Sequence, residues 1–88
     1  MEKKNVIIKN KIGLHARPAA LFVQTASKFL SEIYLQMGDK KINAKSIMGI
    51  MALGVSEGDE VTIITEGDDE KRAIEELVDL LENKLSEE

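Results

Sequence analysis

The sequence of 88 residues contains no cysteine and no tryptophan, and it has only one histidine and one proline. Without cysteine the chain can form no disulfide and can offer no thiolate to a metal ion. A single histidine excludes a multi-histidine metal centre within one chain, so we expect neither a metal nor another cofactor. The only aromatic residues are Phe22, Phe29 and Tyr34, which are too few for a platform that stacks nucleic-acid bases.

The net charge and the lengths of the apolar runs indicate the compartment of the protein and the classes of partner it can bind. The formal net charge is −4, from 12 basic and 16 acidic residues, whereas nucleic-acid binding usually needs a basic surface. The longest apolar stretch, residues 47–55, is interrupted by Gly49 and Gly54 and is too short to span a bilayer. The short apolar run at residues 6–8 is not the core of a signal peptide. We therefore expect a cytoplasmic protein with no membrane insertion and no direct contact with nucleic acid.

Hydrophobic periodicity indicates one α+β domain that spans residues 1–88. Apolar residues that alternate with polar ones predict strands at about residues 4–9 and 60–66 and a hairpin over residues 32–44. Apolar residues spaced three and four apart predict helices over residues 16–27, over residues 47–53, and from Asp68 or Asp69 onwards. The order β-α-β-β-α-β-α favours one mixed or antiparallel sheet with helices on a single face, and the pattern leaves the strand order open.

The same periodicity identifies the residues expected in the core. The predicted buried stripes of the first and last helices consist of Ala19, Phe22, Val23, Ala26 and Phe29, and of Ala73, Ile74, Leu77, Val78 and Leu81. A domain this small has one core and no deep cleft, so a functional site must be shallow and completed by a partner.

The most informative segment is GLHARPAA, residues 13–20, in which His15 immediately precedes the first predicted helix. The first N–H groups of a helix have no partner within it, and together with the helix dipole they attract anions. The expected donors are the backbone N–H groups of Ala16 and Arg17, and the Arg17 guanidinium adds a cation whose fork fits phosphate oxygens. Pro18 stands in the first turn, where its missing N–H costs nothing.

The imidazole of His15 suits a phosphoryl acceptor. The helix N-terminus and Arg17 both oppose a positive charge on the ring, so they favour its neutral, nucleophilic form. The same elements neutralise the charge of an incoming phosphoryl group. A lone histidine before a helix is more often an N-cap or an exposed loop residue, and the residue types alone leave that alternative open.

Two segments together give the sequence a specific resemblance. GLHARPAA at residues 13–20 and KSIMGIMALG at residues 45–54, at their observed separation, are similar to motifs of the histidine-containing phosphocarrier (HPr) family of the bacterial phosphoenolpyruvate-dependent sugar phosphotransferase system, Gram-positive type. The similarity covers essentially the whole chain. It implies an open-faced β-sandwich, in which three helices cover one face of a four-stranded antiparallel sheet.

The resemblance also implies a phosphoryl carrier, which is a substrate in a relay and not an enzyme. In the family, enzyme I takes phosphate from phosphoenolpyruvate and passes it to Nδ1 of the carrier histidine, from which sugar-specific A domains receive it. At the matching positions, His15 is the phosphoryl acceptor and Arg17 stabilises the phosphate. Ile12 departs from the family, which often has a small polar residue there, so this position offers the phosphate no polar side chain.

Ser46 is expected to be the N-cap of the short helix. The resemblance adds a second role, because KSIMGIM is similar to the motif in which an ATP-dependent bifunctional kinase/phosphorylase modifies the matching serine. A phosphate is electrostatically favourable at a helix N-terminus and places about two negative charges there. The resemblance thereby implies a regulatory site in carbon catabolite repression. That kinase/phosphorylase modifies the site, and a catabolite-control transcription factor binds the modified form.

Surplus apolar residues near both motifs predict a docking surface. In the short helix Ile50 and Leu53 can face the sheet, but its other large apolar residues cannot all do so. The predicted docking residues are Ala20, Leu21, Gln24, Ile47, Met48 and Met51. Flexible methionines suit several partners in turn, although the same residues could instead complete a small core. A shuttle that must leave each partner is expected to be a monomer.

Two other classes of function remain open. One is a regulatory interaction protein that works mainly through Ser46. Family paralogues of that kind lack the carrier histidine, whereas this chain has His15. The other is a generic α+β binding module, which would make the two paired motifs a coincidence.

Overall fold

The computed structural model describes residues 1–85 and contains the predicted elements in the predicted order. The strands are β1 (Glu2–Ile7), β2 (Glu32–Met37), β3 (Lys40–Asn43) and β4 (Glu60–Glu66). The helices are α1 (Ala16–Ser27), α2 (Ile47–Leu53) and α3 (Glu70–Asp79), and α3 continues into a π-helical segment, Leu80–Lys84. No helix within residues 1–85 is long and apolar enough to cross a membrane.

The strands form one antiparallel sheet in the order β1-β4-β2-β3. The central strand β4 pairs Val61 with Val6 of β1 and Ile63 with Leu35 of β2. All four of these side chains are buried. On the covered face, α3 packs against β1 and β4, α2 against β3, and α1 against both other helices. The open-faced sandwich implied by the resemblance is confirmed, and the register supplies the strand order that the pattern left open.

The first helix begins directly after His15 and ends at Ser27, as predicted. Its buried residues follow the spacing of three and four, and they are Pro18, Ala19, Phe22 and Ala26. Val23 is half-buried and packs at the edge of the core. Phe29, which the pattern adds to the stripe beyond residue 27, is buried as well, just past the end of the helix.

The short helix α2 has its predicted start and end. The Ser46 hydroxyl accepts a hydrogen bond from the backbone N–H of Gly49 at 3.1 Å, so Ser46 is an N-cap. Gly54 takes a left-handed conformation with φ 70°, which ends the helix. Ile50 and Leu53 are buried against the core, as expected.

The first strand lies two residues earlier than its apolar pattern predicts. Backbone pairing with β4 begins at Glu2, which lies opposite Thr65, and ends at Ile7, which lies opposite Glu60. Ile8 is buried but lies beyond the strand. Hydrogen bonding to the neighbouring strand, and not side-chain hydrophobicity, therefore decides where β1 begins and ends.

The final helix begins after Asp69, but this residue acts differently from the predicted cap. The Asp69 carboxylate makes no side-chain cap bond to α3. It accepts hydrogen bonds from the Ser31 hydroxyl and from the backbone N–H groups of Leu30 and Ser31, the latter two at 2.9 and 3.0 Å. These bonds, that from the Ser31 hydroxyl first, lower the pKa of Asp69 from 3.8 to about 2. Asp69 thus joins the start of α3 to the segment between α1 and β2.

The buried face of the final helix is close to the predicted one. Ala73, Ile74 and Leu77 are buried on α3, whereas Val78 is only half-buried. Leu81 is buried as well, but it lies in the π-helical segment that follows α3.

Replacing Asp69 is expected to change how stability depends on pH. Because folding depresses the pKa of Asp69, its charged form adds stability that is present above pH ~4 and is lost as the pH falls through about 2. Asp69→Asn should therefore lower the melting temperature by several degrees at pH 7 and flatten the loss of stability below pH ~4. Thermal melts from pH 2 to pH 7 test this, with the exposed neighbour Asp68→Asn as the matched control. An Asp69→Asn variant with the wild-type pH dependence would contradict it.

Candidate functional site

His15 occupies the N-cap position of α1 without capping the helix through its side chain. Its backbone is extended, with φ −124° and ψ 160°, and its side chain makes no cap hydrogen bond. The residue is half-buried, and the residue before it, Leu14, is fully buried. The structure therefore places the imidazole beside the start of a 12-residue helix, and no cap bond ties it to that helix.

Ala16, directly after His15, has a φ of 49° and lies in the left-handed region. It is the only non-glycine residue with positive φ among the residues that the structure describes. This conformation is unfavourable for a residue with a Cβ atom, and strained backbone of this kind clusters at functional sites. Nothing in the sequence indicates it, because alanine is an ordinary residue at the start of a helix.

The loop that leads to His15 is fixed by backbone hydrogen bonds. The N–H of Gly13 donates to the carbonyl of Asn10 at 3.2 Å and closes a turn over residues 10–13. The N–H of Leu14 donates to the carbonyl of Val55 at 3.1 Å. Since Val55 follows the end of α2, this bond holds the approach to His15 against the exit of the second helix.

Gly13 is required by the close approach of these two segments. Its φ is +66°, and a Cβ atom added there would lie 2.3 Å from the carbonyl oxygen of Val55. Any other residue would have to push the chain away from the end of α2. The glycine of the GLHARPAA motif thus has a packing function that brings the loop before His15 close to the segment that follows α2.

Two exposed side chains lie on either side of His15 in the sequence. Arg17 is exposed in the first turn of α1, as its predicted role requires. Ile12 is 49% exposed in the turn before His15, so the position at which the family often has a polar residue presents an apolar one to solvent. The roles of His15, Arg17 and the N–H groups of Ala16 and Arg17 toward phosphate remain predictions.

The predicted docking residues lie on two helices that contact each other, α1 and α2. Ile47, Met48 and Met51 are 39%, 79% and 46% exposed, so they do not complete the core. On α1, Gln24 is exposed and Ala20 is half-buried. Leu21 is half-buried and packs against the core, so it offers a partner less area than a fully exposed leucine.

Ser46 lies at the opposite end of α2 from the His15 loop. The far end of α2 leads into Val55, whose carbonyl binds Leu14 next to His15. A helix of this length spans about 10 Å, which is about one Debye length at 0.1 M salt. A partner that covered both α2 and the His15 loop would therefore lie within about one Debye length of a charge on Ser46.

Comparison with known proteins places these features in a family. Residues 2–83 match the family model described as the PTS HPr component phosphorylation site. The HPr-like protein Crh of Halalkalibacterium halodurans is 52% identical over 84 residues, which cover 96% of this chain and 100% of the relative.

Solved structures agree with this match. The crystal structure of HPr-C-His from Thermoanaerobacter tengcongensis has a TM-score of 0.96 at 64% identity and covers 100% of this chain and 99% of that one. The crystal structure of an HPr dimer from the same organism has a TM-score of 0.77 at 64% identity and covers 97% and 98% of the two chains. The family model, the relatives and the fold together show that this chain belongs to the HPr family of phosphocarrier proteins.

Proposed function

We propose that the protein is a cytoplasmic phosphoryl carrier of a sugar phosphotransferase system. It accepts a phosphoryl group from phospho-enzyme I on His15 and passes it to sugar-specific A domains, as a substrate in a relay with no turnover of its own. The observation that carries this proposal is the half-buried imidazole at the N-terminus of α1, which makes no side-chain cap bond and stands two residues before the exposed Arg17.

The proposed chemistry is an in-line displacement at phosphorus. The lone pair of the His15 ring nitrogen, Nδ1 by the family resemblance, forms the new N–P bond while the bond from phosphorus to the donor breaks. The electron pair of that bond leaves with the donor. The Arg17 guanidinium and the N–H groups at the start of α1 stabilise the charge on the phosphoryl oxygens. Transfer to an A domain reverses these steps with a new acceptor.

Incubation with enzyme I and phosphoenolpyruvate tests the proposal. The expected product carries one phosphoryl group that is labile in acid and stable in alkali, which is the behaviour of phosphohistidine. Mass spectrometry before and after acid treatment measures it. No mass gain with an active enzyme I would refute the carrier function, and an acid-stable adduct would point to Ser46 instead.

A second, compatible role is regulation through phosphorylation of Ser46. Its hydroxyl lies at the N-terminus of α2, next to the exposed Ile47 and Met48. We propose that a bifunctional kinase/phosphorylase modifies this hydroxyl in carbon catabolite repression and that a catabolite-control transcription factor reads it. The modified group would meet the positive end of the helix dipole and place about two negative charges at the edge of the docking surface.

The free protein is expected to be a monomer, since a shuttle must expose the same surface to successive partners. The HPr dimer of Thermoanaerobacter tengcongensis supplies the alternative. Sedimentation equilibrium at several protein concentrations distinguishes the two states, and a concentration-independent dimer mass would overturn the expectation.

Ser46→Asp is expected to slow receipt of phosphate at His15 and to keep or raise the melting temperature. A carboxylate at the N-cap can accept the Gly49 N–H and meets the positive end of the helix dipole. The negative charge opposes docking, so the Michaelis constant for enzyme I should rise about tenfold at low salt and recover as salt is added.

Ser46→Asn is the matched control for this experiment, because it caps the helix without a charge. Melting temperature and transfer kinetics are measured on the same preparations. Unaltered kinetics in the Asp variant would show that Ser46 lies outside the surface that enzyme I covers. A kinetic defect of equal size in both variants would assign the effect to shape and not to charge.

Met48→Asp is expected to weaken binding to enzyme I and to the kinase/phosphorylase about tenfold, because a charge would replace an apolar contact that must lose its water. Met48 is 79% exposed, so the fold should be unaffected. Leu30→Asp is the control, since Leu30 is 89% exposed beyond the other end of α1. Isothermal titration calorimetry measures the affinity of both variants for each partner. An affinity of Met48→Asp equal to that of the wild type would remove Met48 from the docking surface.

A further inference from the structure

Asn10, in the loop before His15, is a polar residue buried to the same degree as the core. It is 2% exposed, and its Nδ2 donates a hydrogen bond to the carbonyl of Gly13 at 2.9 Å. Its Oδ1 is also buried and receives no hydrogen bond from the residues that the structure describes. Burying an unpaired amide oxygen costs free energy, and a leucine, which has the same number and branching of side-chain heavy atoms, would avoid that cost. The amide donor must therefore account for asparagine at this position.

The hydrogen bond from Asn10 fixes the peptide unit that joins Gly13 to Leu14, the residue directly before His15. In that unit the Gly13 carbonyl accepts from Nδ2 of Asn10, and the Leu14 N–H donates to the carbonyl of Val55 at 3.1 Å. Both polar groups of a single peptide plane are thus held, one by the loop itself and one by the exit of α2. A plane held at both edges cannot rotate.

This peptide unit needs such a restraint because it follows a glycine. Gly13 cannot be replaced, since a Cβ atom there would lie 2.3 Å from the Val55 carbonyl oxygen. Glycine is the residue with the widest range of backbone conformations, so the link into His15 would otherwise be the loosest part of the loop. The Asn10 amide compensates for the freedom that the close packing of Gly13 introduces.

We propose that Asn10 is a positioning residue for the phosphoryl-acceptor site. By fixing the peptide plane between Gly13 and Leu14, it sets the direction in which the chain enters His15 and the strained turn at Ala16. Displacement reactions are sensitive to errors of about 1 Å in the position of the reacting atoms. This inference rests on the proposed function of His15, and Asn10 acts only through the backbone.

The decisive variant is Asn10→Leu, which keeps the number and branching of the side-chain heavy atoms and removes both the donor and the unpaired oxygen. A positioning role predicts kcat for transfer from phospho-enzyme I lowered about tenfold with KM unchanged, whatever the change in melting temperature, because the Gly13 carbonyl also loses its donor. A structural role alone predicts a lower melting temperature and a wild-type kcat. Lys11→Ala, an exposed change in the same turn, is the control and should leave both values unaltered.

Asn10→Ala serves if the leucine variant does not fold, because it removes the donor without adding volume or a buried charge. The same fall in kcat is expected, and a wild-type kcat in either folded variant would overturn the proposal.

Amide hydrogen exchange in the unphosphorylated protein tests the restraint without enzyme I. The Leu14 N–H should exchange about tenfold faster in Asn10→Leu than in the wild type, and the His15 ring signals in the NMR spectrum should shift. Unchanged exchange and unchanged ring signals would overturn the inference. Faster exchange together with a wild type that accepts no phosphate would refute the carrier function alone and leave the restraint established.

Discussion

His15→Ala is expected to abolish phosphoryl transfer from phosphoenolpyruvate and enzyme I while leaving the fold intact. His15 is the only imidazole in the sequence, so no other side chain can form the same adduct. Its side chain makes no cap hydrogen bond, and truncation therefore removes nothing that holds α1. The melting temperature should change little, because the residue lies half-exposed at the edge of the core.

The control for this variant is Ser46→Ala, which should accept phosphate from enzyme I at the wild-type rate. Both proteins are assayed by acid-labile mass gain, with circular dichroism and thermal melts on the same samples. Continued formation of an acid-labile adduct in His15→Ala would refute His15 as the acceptor. Loss of transfer together with loss of the folded state would leave the fold, and not the imidazole, as the cause.

The sequence predicts those parts of the fold that depend on local chemistry. The helix over residues 47–53 begins at a serine cap and ends at a glycine, and both boundaries are confirmed. The helix over residues 16–27 and the strand over residues 60–66 also have their predicted bounds. In each case a local signal (a cap, a turn residue or the apolar spacing) indicates the boundary, so no distant contact is needed to locate it.

The parts that the sequence does not predict depend on contacts between distant residues. The limits of β1 follow from its pairing with β4, and the carboxylate of Asp69 binds the segment around Ser31 in place of its own helix. Neither partner is adjacent in the sequence, so no local pattern indicates the contact. The strand order is open at the sequence level for the same reason.

In the candidate site, too, residues marked by local motifs are predicted from the sequence and residues that depend on distant contacts are not. His15, Arg17 and Ser46 are found from local motifs, since each stands at or near a predicted helix start. Asn10 is missed, because its importance arises from burial and from the packing of Gly13 against Val55. The one available indication in the sequence is an asparagine three residues before a glycine, which is typical of many ordinary turns.

Arg17→Glu is expected to slow phosphoryl transfer about a hundredfold or more, because removal of a single charge-stabilising donor at a transition state has effects of this size. The substitution also brings a negative charge next to the phosphoryl oxygens, which opposes their approach. The effect of Arg17→Glu on the melting temperature should be much smaller than its effect on the rate. Arg17 is exposed in the first turn of α1, a turn that has no acidic residue, and a carboxylate there interacts favourably with the helix dipole. The rate of transfer should therefore fall far more than the melting temperature does.

Lys71→Glu is the matched control for this experiment. Lys71 is exposed in the first turn of α3, so the variant makes the same charge change at the corresponding place in another helix. The start of α3 is joined through Asp69 to the segment after α1, at the far end of that helix from His15. Transfer should be close to wild type in Lys71→Glu at every salt concentration.

Single-turnover rates at low and high salt separate docking from chemistry in Arg17→Glu. A defect in docking alone would fade as ionic strength rises, since charges on two facing surfaces are screened beyond a Debye length. A defect in stabilising the phosphoryl group persists, because Arg17 and the phosphate would be in direct contact within a closed interface. Arg17→Gln, which removes the positive charge without reversing it, should lie between the wild type and the Glu variant. Equal rates for the wild type, Arg17→Gln and Arg17→Glu would exclude Arg17 from the site and leave the backbone N–H groups of α1 as the only partners proposed for the phosphate.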